Sequence, residues 1–387
     1  MKTRDNLLKL EEELNAKYIN RADEIRGLML SLLSRGNVVL LGPAGTAKTD
    51  LVQCLARSLG ADCFETLLTR TSSPEELFGA YDIRELEQGR YMRNTENTLA
   101  TAQFGFVDEV FKCNSATLNG LLGVMAQRIF RNGNSMPSPI PLQLLVGASN
   151  EMPEGGETGE LSALWDRFEL IYVVKYIGDE RSFARLLSIN SSLEPKTKVK
   201  MADIIKAQKE TDSVSFDNIL PILINLWKAL RTEGFSISDR KWRNSIKYLR
   251  SNAWIEGRDE VNEDDIMVYN HILWSNPEQI HPIHKVVSQF IRPELAISQE
   301  QYDIACEIMA GLDKFTSDEQ KNKEQFHTTK AKAGSDAYVQ VNRIRKALQT
   351  NQHKQIAQGF EENKRIKGMI EDVDAMLVKL RKEILMA

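Results

Sequence analysis

The sequence predicts an α/β fold: a five-stranded parallel sheet covered by helices, then an all-α region, then a C-terminal helical, coiled-coil-like segment. Three observations predict it. Between about residues 18 and 175 short apolar runs alternate with helical segments, the pattern of strands buried on both faces. From Asp179 to about Gly311 such runs stop and a 3.6-residue periodicity takes over. Near the C-terminus, Ile366, Ile370, Val373, Leu377, Leu380 and Ile384 step by 4, 3, 4, 3 and 4, an a/d seam.

Taken in order, residues 5–16 form an amphipathic helix, with Leu7, Leu8, Leu10 and Leu14 set among charges. Strands are predicted at Val38–Leu41, Phe64–Leu68, Phe104–Asp108, Leu142–Ala148 and Glu169–Val174. Helices follow at Ile219–Leu230 and Trp242–Trp254, with a third opened by Asn262 or Glu263 and running through Ile266, Tyr269 and Leu273. Residues 314–335 are polar, rich in Lys, Glu and Gln, and read as a linker or loose hairpin. Gly359 and Gly368 argue against one unbroken helix beyond it. The domain division is 1–178 for the α/β core, 179–295 for a helical lid and 296–387 for a helical extension. A chain of 387 residues accommodates that number.

Composition narrows the function. A net charge of −4 argues against a dedicated duplex-DNA binder, which would neutralise phosphates with Lys and Arg. Cys54, Cys63, Cys113 and Cys306 show no metal-site spacing and read as unpaired thiols of a reducing compartment. No apolar stretch follows Met1-Lys-Thr-Arg-Asp, and no run approaches the roughly 20 residues of a membrane span. The expected location is the cytoplasm.

The chemistry-bearing residues begin at Gly42-Pro43-Ala44-Gly45-Thr46-Ala47-Lys48-Thr49, directly after a strand and opening a helix. Backbone N–H groups of such a loop converge on phosphate oxygens. Lys48 is placed to reach the β- and γ-phosphates, and the Thr49 hydroxyl to ligate Mg²⁺. Ala47 stands where the strict pattern has glycine, and near-helical φ/ψ is expected there. Phe104–Asp108 then ends in two adjacent carboxylates, Asp108 for the Mg²⁺ shell and Glu109 to activate water. Asn150, at the tip of a further strand, is suited to the γ-phosphate or the attacking water. Arg167, just before the fifth strand, suits the γ-phosphate of a neighbouring subunit. Arg240, at a helix start, is expected to reach back to the phosphates, with Arg243 as its competitor. Each has a plainer alternative: a strand–helix turn, a solvated strand end, a turn amide, or a surface ion pair.

These motifs resemble those of MoxR-family AAA+ ATPases, and most nearly the RavA branch. The resemblance is carried by the GPAGTAKT loop, Ser73-Pro-Glu-Glu-Leu-Phe-Gly79, Gly89-Arg-Tyr, Phe104-Gly-Phe-Val-Asp-Glu109, and Leu118-Asn through Arg128-Ile-Phe-Arg-Asn-Gly133. Ala148-Ser-Asn-Glu-Met-Pro-Glu154, Ser238-Asp-Arg-Lys-Trp242, and Gly257-Arg through Leu273-Trp-Ser complete it over about residues 5–290. It implies an AAA+ P-loop core with a helix-2 insert around 80–99 and a pre-sensor hairpin around 129–141, both facing the pore of a ring. It also implies an ATP- and Mg²⁺-dependent ATPase, a homo-oligomer of hexameric type, that remodels or matures a protein client. ATP contacts fall on Ile19 beside the adenine and on Gly45 through Asp50, with Phe183 a second adenine-side residue. RavA carries a compact β-rich module that docks on a lysine decarboxylase. The stretch 314–335 is too short and too poor in β-branched residues for it, so that partner is not implied. A von Willebrand A-domain partner is. A nucleic-acid translocase is the rival reading, resting on Arg93, Arg128 and Arg131. They are few, and no aromatic platform interleaves them.

Overall fold

A computed structural model describes residues 2–152, 161–188, 193–291, 293–316, 323–357 and 364–386. The chain divides into two compact units, Met1–Val286 and Val287–Ala387.

The first unit is built on a parallel sheet of five strands: β1 Asn37–Leu41, β2 Cys63–Leu67, β3 Phe104–Asp108, β6 Leu144–Ser149 and β7 Leu170–Val173. The intervening β4 (Ile129–Phe130) and β5 (Ser138–Pro139) form a separate antiparallel hairpin. The sheet order β2-β3-β6-β1-β7 puts the most apolar strands at the centre, where both faces are covered. Every residue of β1 and β6 is buried, whereas β2, at an edge, is mostly half-exposed. All five predicted strands are present, Phe104–Asp108 unshifted and the others with ends moved by one or two residues.

Because β3, β6 and β1 are neighbours and parallel, their carboxyl ends lie side by side. The phosphate loop, the acid pair and Asn150 all follow those ends, which is where α/β sheets gather their ligands. Leu41 is in register with Ser149, and Val107 with Gly147. Around the sheet run α1 (Lys2–Lys17), α2 (Ala22–Leu33), α3 (Lys48–Leu59), α4 (Pro74–Phe78), α5 (Ile83–Glu87), α6 (Ser115–Gln127) and α7 (Ser162–Trp165). α1 buries Leu7, Leu10 and Leu14, the stripe its sequence displays.

The helical region comprises α8 (Glu180–Ser188), α9 (Met201–Asp212), α10 (Leu220–Thr232), α11 (Asp239–Ile255) and α12 (Ile280–Ser288). The segment opened by Asn262 is a 3₁₀ helix over Glu263–His271 rather than an α-helix. Its capping box, with Asp265 answering Asn262, fixes the start as expected.

The segments expected as insertions, 80–99 and 129–141, are joined. The Arg93 backbone N–H donates to Asn132 Oδ1 at 2.7 Å, and Asn132 Nδ2 donates back to the Arg93 carbonyl at 3.0 Å. Next to it Gly133, at φ +56°, packs against the Tyr91 carbonyl so closely that no side chain fits. Arg93 is further held by Glu75, the Gly79 carbonyl and the face of Tyr81.

The second unit contains α13 (Pro293–Thr316), α14 (Lys323–Ala357) and α15 (Lys364–Met386). Val373, Leu377 and Leu380 of α15 pack with Val341 and Leu348 of α14, as the seam predicts, and Ala305 and Met309 of α13 join the same core. The side chains of Ile356 and Ile384 lie outside the described residues. The stretch 314–335 differs from expectation: 314–316 close α13 and 323–335 belong to α14, with 317–322 outside the described residues. Lys, Glu, Gln and Ala are strong helix formers even where no apolar stripe marks them.

Candidate active site

The loop between β1 and α3 turns sharply at Gly42, where any Cβ would collide with the Val174 carbonyl at the end of β7. Gly45 stands clear of neighbours. The Thr46 hydroxyl donates to the Pro43 carbonyl at 3.0 Å, closing the loop on itself. Lys48, Thr49 and Asp50 form the first turn of α3. Ala47, expected near helical φ/ψ, is instead left-handed at φ +63° and ψ +24°. A methyl group there is strained, because an L-residue in this region brings Cβ against the following carbonyl oxygen.

Lys48 is nearly buried and its ammonium donates to the Gly42 carbonyl and to the Pro43 carbonyl, the latter at 3.0 Å. It also lies 3.5 Å from Asn150 Oδ1. Burial pulls its pKa below the usual lysine value, while Asp108 and Glu109 oppose that shift. Asn150 Nδ2 in turn donates to Glu109 Oε1 at 2.7 Å. The phosphate-loop lysine, the strand-tip amide and the second carboxylate are thus one connected set. Asp108 Oδ1 accepts from the Glu109 backbone N–H at 2.9 Å.

Glu109 is only 8% exposed and sits at φ +51°, a second left-handed residue without glycine. Its Oε2 has no hydrogen-bond partner; Lys112 Nζ, 3.3 Å away, provides charge without bond geometry. A buried carboxylate oxygen left open is costly unless something else fills it. That opening, beside a buried cation and a loop of main-chain donors, fits a polyphosphate and a water molecule. Among the described residues no cluster of three His, Cys, Asp or Glu side chains could cage a metal alone. Thr49 and Asp108 with phosphate oxygens make the partial donor set that Mg²⁺ prefers.

Ile19, expected beside the adenine, is buried. Its neighbour Asn20 bonds Asp179 (3.3 Å) and Ser182 (3.1 Å) at the start of α8. Phe183, 53% exposed, follows directly. Ile19 and Phe183 therefore stand on segments the fold ties together. Asp50 accepts from the Tyr18 hydroxyl at 2.6 Å. Sequence reasoning missed Tyr176, whose hydroxyl donates to the Ala44 carbonyl at 3.1 Å, and Arg21. Arg21 is buried and donates to the carbonyls of Thr46 (3.4 Å), Asn20 (2.7 Å) and Lys175 (2.8 Å), bracing the loop, the segment before α2 and the exit of β7. A basic residue followed by an acidic helix start was the available signal.

Arg167 and Arg240 lie elsewhere. Asn37, the first residue of β1, donates its side-chain amide to the Arg167 carbonyl at 2.9 Å. The phosphate loop leaves the other end of β1, five residues or about 16 Å away at roughly 3.3 Å each. Arg240 pairs with Asp166 at 2.8 Å, next to Arg167, and Ser238 donates to the same carboxylate. The fold therefore does not let Arg240 reach back to the phosphate loop of its own chain. It brings Arg240 beside Arg167 because the N-terminus of α11 docks at the start of β7.

Comparison with known proteins identifies the family of the chain. Residues 5–213 match the family model described as the MoxR domain in MoxR-vWA-beta-propeller ternary systems, and residues 218–287 match that of an AAA lid domain. The protein MJ0812 of Methanocaldococcus jannaschii is 35% identical over 313 residues, 81% of this chain and 83% of that one. The chaperone MoxR1 of Mycobacterium tuberculosis is 26% identical over 271 residues, 66% of this chain and 71% of its own. A crystal structure of a candidate ATPase from Cytophaga hutchinsonii superposes with a TM-score of 0.61 at 21% identity, over 75% of this chain and 96% of that one. These matches support the MoxR family as a whole, not the RavA branch in particular.

Proposed function

The chain belongs to the MoxR family of AAA+ ATPases, and from that premise we propose that it hydrolyses ATP to remodel or mature a protein partner. The observation that carries the reading is the connected set Lys48–Asn150–Glu109 at the carboxyl ends of three adjacent strands. Lys48 and the loop amides grip the phosphates. Glu109, aimed by Asn150, takes the proton of the attacking water. Thr49 and Asp108 would hold Mg²⁺, which would supply positive charge to the phosphate oxygens.

Arg167 lies about a strand length from its own phosphate loop, so it serves the nucleotide of a neighbouring copy, with Arg240 beside it. That assignment calls for a ring, of hexameric type, with the two insertions lining its pore. A von Willebrand A-domain protein is the proposed partner, supported by the ternary systems that the matched family model describes. A cytoplasmic location is supported by four free cysteines, which suit a reducing compartment. Among the described residues no helix is long and apolar enough to cross a membrane. A nucleic-acid role loses ground because Arg93 is engaged by Glu75 and Tyr81 and Arg128 is buried.

Lys48→Ala and Glu109→Gln test the reading together. The first is expected to lose nucleotide binding. The second is expected to keep binding and lose steady-state phosphate release. Turnover near the unmodified rate in the Glu109 variant refutes the assignment.

A further inference from the structure

The exit of β7 holds the phosphate loop through Val174, Lys175 and Tyr176 in turn. Val174 donates its N–H to the Leu41 carbonyl at 2.6 Å, and its own carbonyl packs against Gly42. The Lys175 carbonyl accepts from Arg21 Nη2 at 2.8 Å, and the same guanidinium donates through Nε to the Thr46 carbonyl at 3.4 Å. Tyr176 donates its hydroxyl to the Ala44 carbonyl at 3.1 Å. Arg21 is nearly buried, whereas Tyr176 is 64% exposed. The Tyr176 ring walls a cavity of about 390 Å³ together with Gly42, Pro43 and Asn150.

These contacts decide which way the loop amides face. A trans peptide unit carries its carbonyl and the next residue's N–H on opposite sides of one plane, so fixing the first fixes the second. The hold on the Ala44 carbonyl therefore sets the Gly45 N–H, and the hold on the Thr46 carbonyl sets the Ala47 N–H. The Gly42 and Pro43 carbonyls are held differently, since both accept from the Lys48 ammonium. An ammonium has three donors, so gripping the β- and γ-phosphates takes Lys48 off at least one of those carbonyls. The Thr46 hydroxyl keeps Pro43 in place. Ala44 and Thr46 depend on Tyr176 and Arg21, whose donors the phosphates do not claim.

We propose that Tyr176 and Arg21 are positioning residues of the phosphate loop, keeping the Gly45 and Ala47 N–H groups turned to receive phosphate while Lys48 changes partners. The proposal rests on the ATPase reading above. Both residues act by preorganisation, so their effect falls on affinity rather than on the chemical step. Their parts differ. Arg21 fastens the loop to the strand exit with a buried fork, while Tyr176 makes an exposed bond that water can replace, so it tunes the loop more than it builds it.

The test titrates ADP into the full chain in a calorimeter and records the melting of the ligand-free chain beside it. Tyr176→Phe keeps the ring and removes only the hydroxyl. It is expected to weaken ADP about three- to fivefold, the effect of one modest hydrogen bond. The melting of the free chain should not move, because the side chain is exposed. In steady state the same variant should raise KM rather than lower kcat. Arg21→Lys keeps the charge but cannot fork to three carbonyls, and should weaken ADP by about tenfold. ADP binding as tight in Tyr176→Phe as in the unmodified chain overturns the proposal. So does a loss of affinity accompanied by a matching loss of free-chain stability, which marks Tyr176 as merely structural. The Tyr176 variant is decisive even where the Arg21 variant fails to fold. If the unmodified chain binds no ADP, the nucleotide reading itself falls; if it binds ADP and the Tyr176 variant binds it equally, only the positioning role falls.

Discussion

Replacing Ala47 by glycine should make the protein more stable, although it removes a methyl group from a helix start. Ala47 holds φ +63° and ψ +24°. For a residue with a Cβ this region costs about 1–2 kcal/mol. Glycine removes that cost but gains freedom in the unfolded chain, which takes back about 0.4–1 kcal/mol. The net expectation is a gain of about 0.5–1 kcal/mol, or roughly 1–3 °C in the melting of the first unit. The strain is present before and after a nucleotide binds if the loop keeps its shape, so ATP affinity should change by less than about twofold. Ala47→Val is the matched control. A β-branched residue at positive φ is far worse placed, and a loss of more than about 1 kcal/mol is expected. Differential scanning calorimetry with nucleotide titration measures both effects. If glycine destabilises while valine is tolerated, the loop is not left-handed at residue 47 and the reasoning fails.

The other predictions concern the interface, the second unit and pH. Arg167→Ala should cut turnover by up to about 10³-fold with nucleotide affinity nearly intact, and mixing with Glu109→Gln chains should restore part of it; mixed assemblies without recovery would place Arg167's role inside its own chain. A chain ending after Ser288 should fold and hydrolyse ATP, whereas one ending near residue 313 leaves Ala305 and Met309 uncovered and should aggregate; size-exclusion chromatography separates these outcomes. Loss of assembly by the shorter chain would instead make the second unit part of the ring interface. Glu24 is buried and its pKa is raised from 4.5 to about 7, by desolvation first. The folded state therefore holds the proton more tightly than the unfolded one, and stability falls as pH rises from 4.5 to 7. Glu24→Gln should be nearly neutral at pH 4 and stabilising by about 1–3 kcal/mol at pH 8, read from denaturation curves; an advantage that does not grow with pH would contradict it.

The sheet was legible because each strand is a short apolar run ending at a motif, and motifs placed after parallel neighbours must converge. Lys48, Asp108, Glu109 and Asn150 could be placed side by side for that reason. Ala47 was misjudged because its conformation is imposed by the turn rather than by its own preference. Arg240 was misplaced because proximity to a helix start says nothing about which end of the sheet that helix meets. The α13–α14 region read as a linker because its residues favour helix without marking a buried stripe. Arg21 escaped notice since its three acceptors are main-chain carbonyls, which leave no trace in sequence.

Asn132 and Arg93 are 39 positions apart, yet each both gives and receives a hydrogen bond with the other. Such a two-point clasp resists shear as well as separation, unlike a single bond about which the parts would pivot. The segments 80–99 and 129–141 are therefore tied to each other at this point. The exposed Tyr91 belongs to the same joint, because Gly133 packs directly behind the Tyr91 carbonyl. Asn132→Ala would separate the two, turning a stiff lever into a pair of loosely hung flaps whose travel no longer matches.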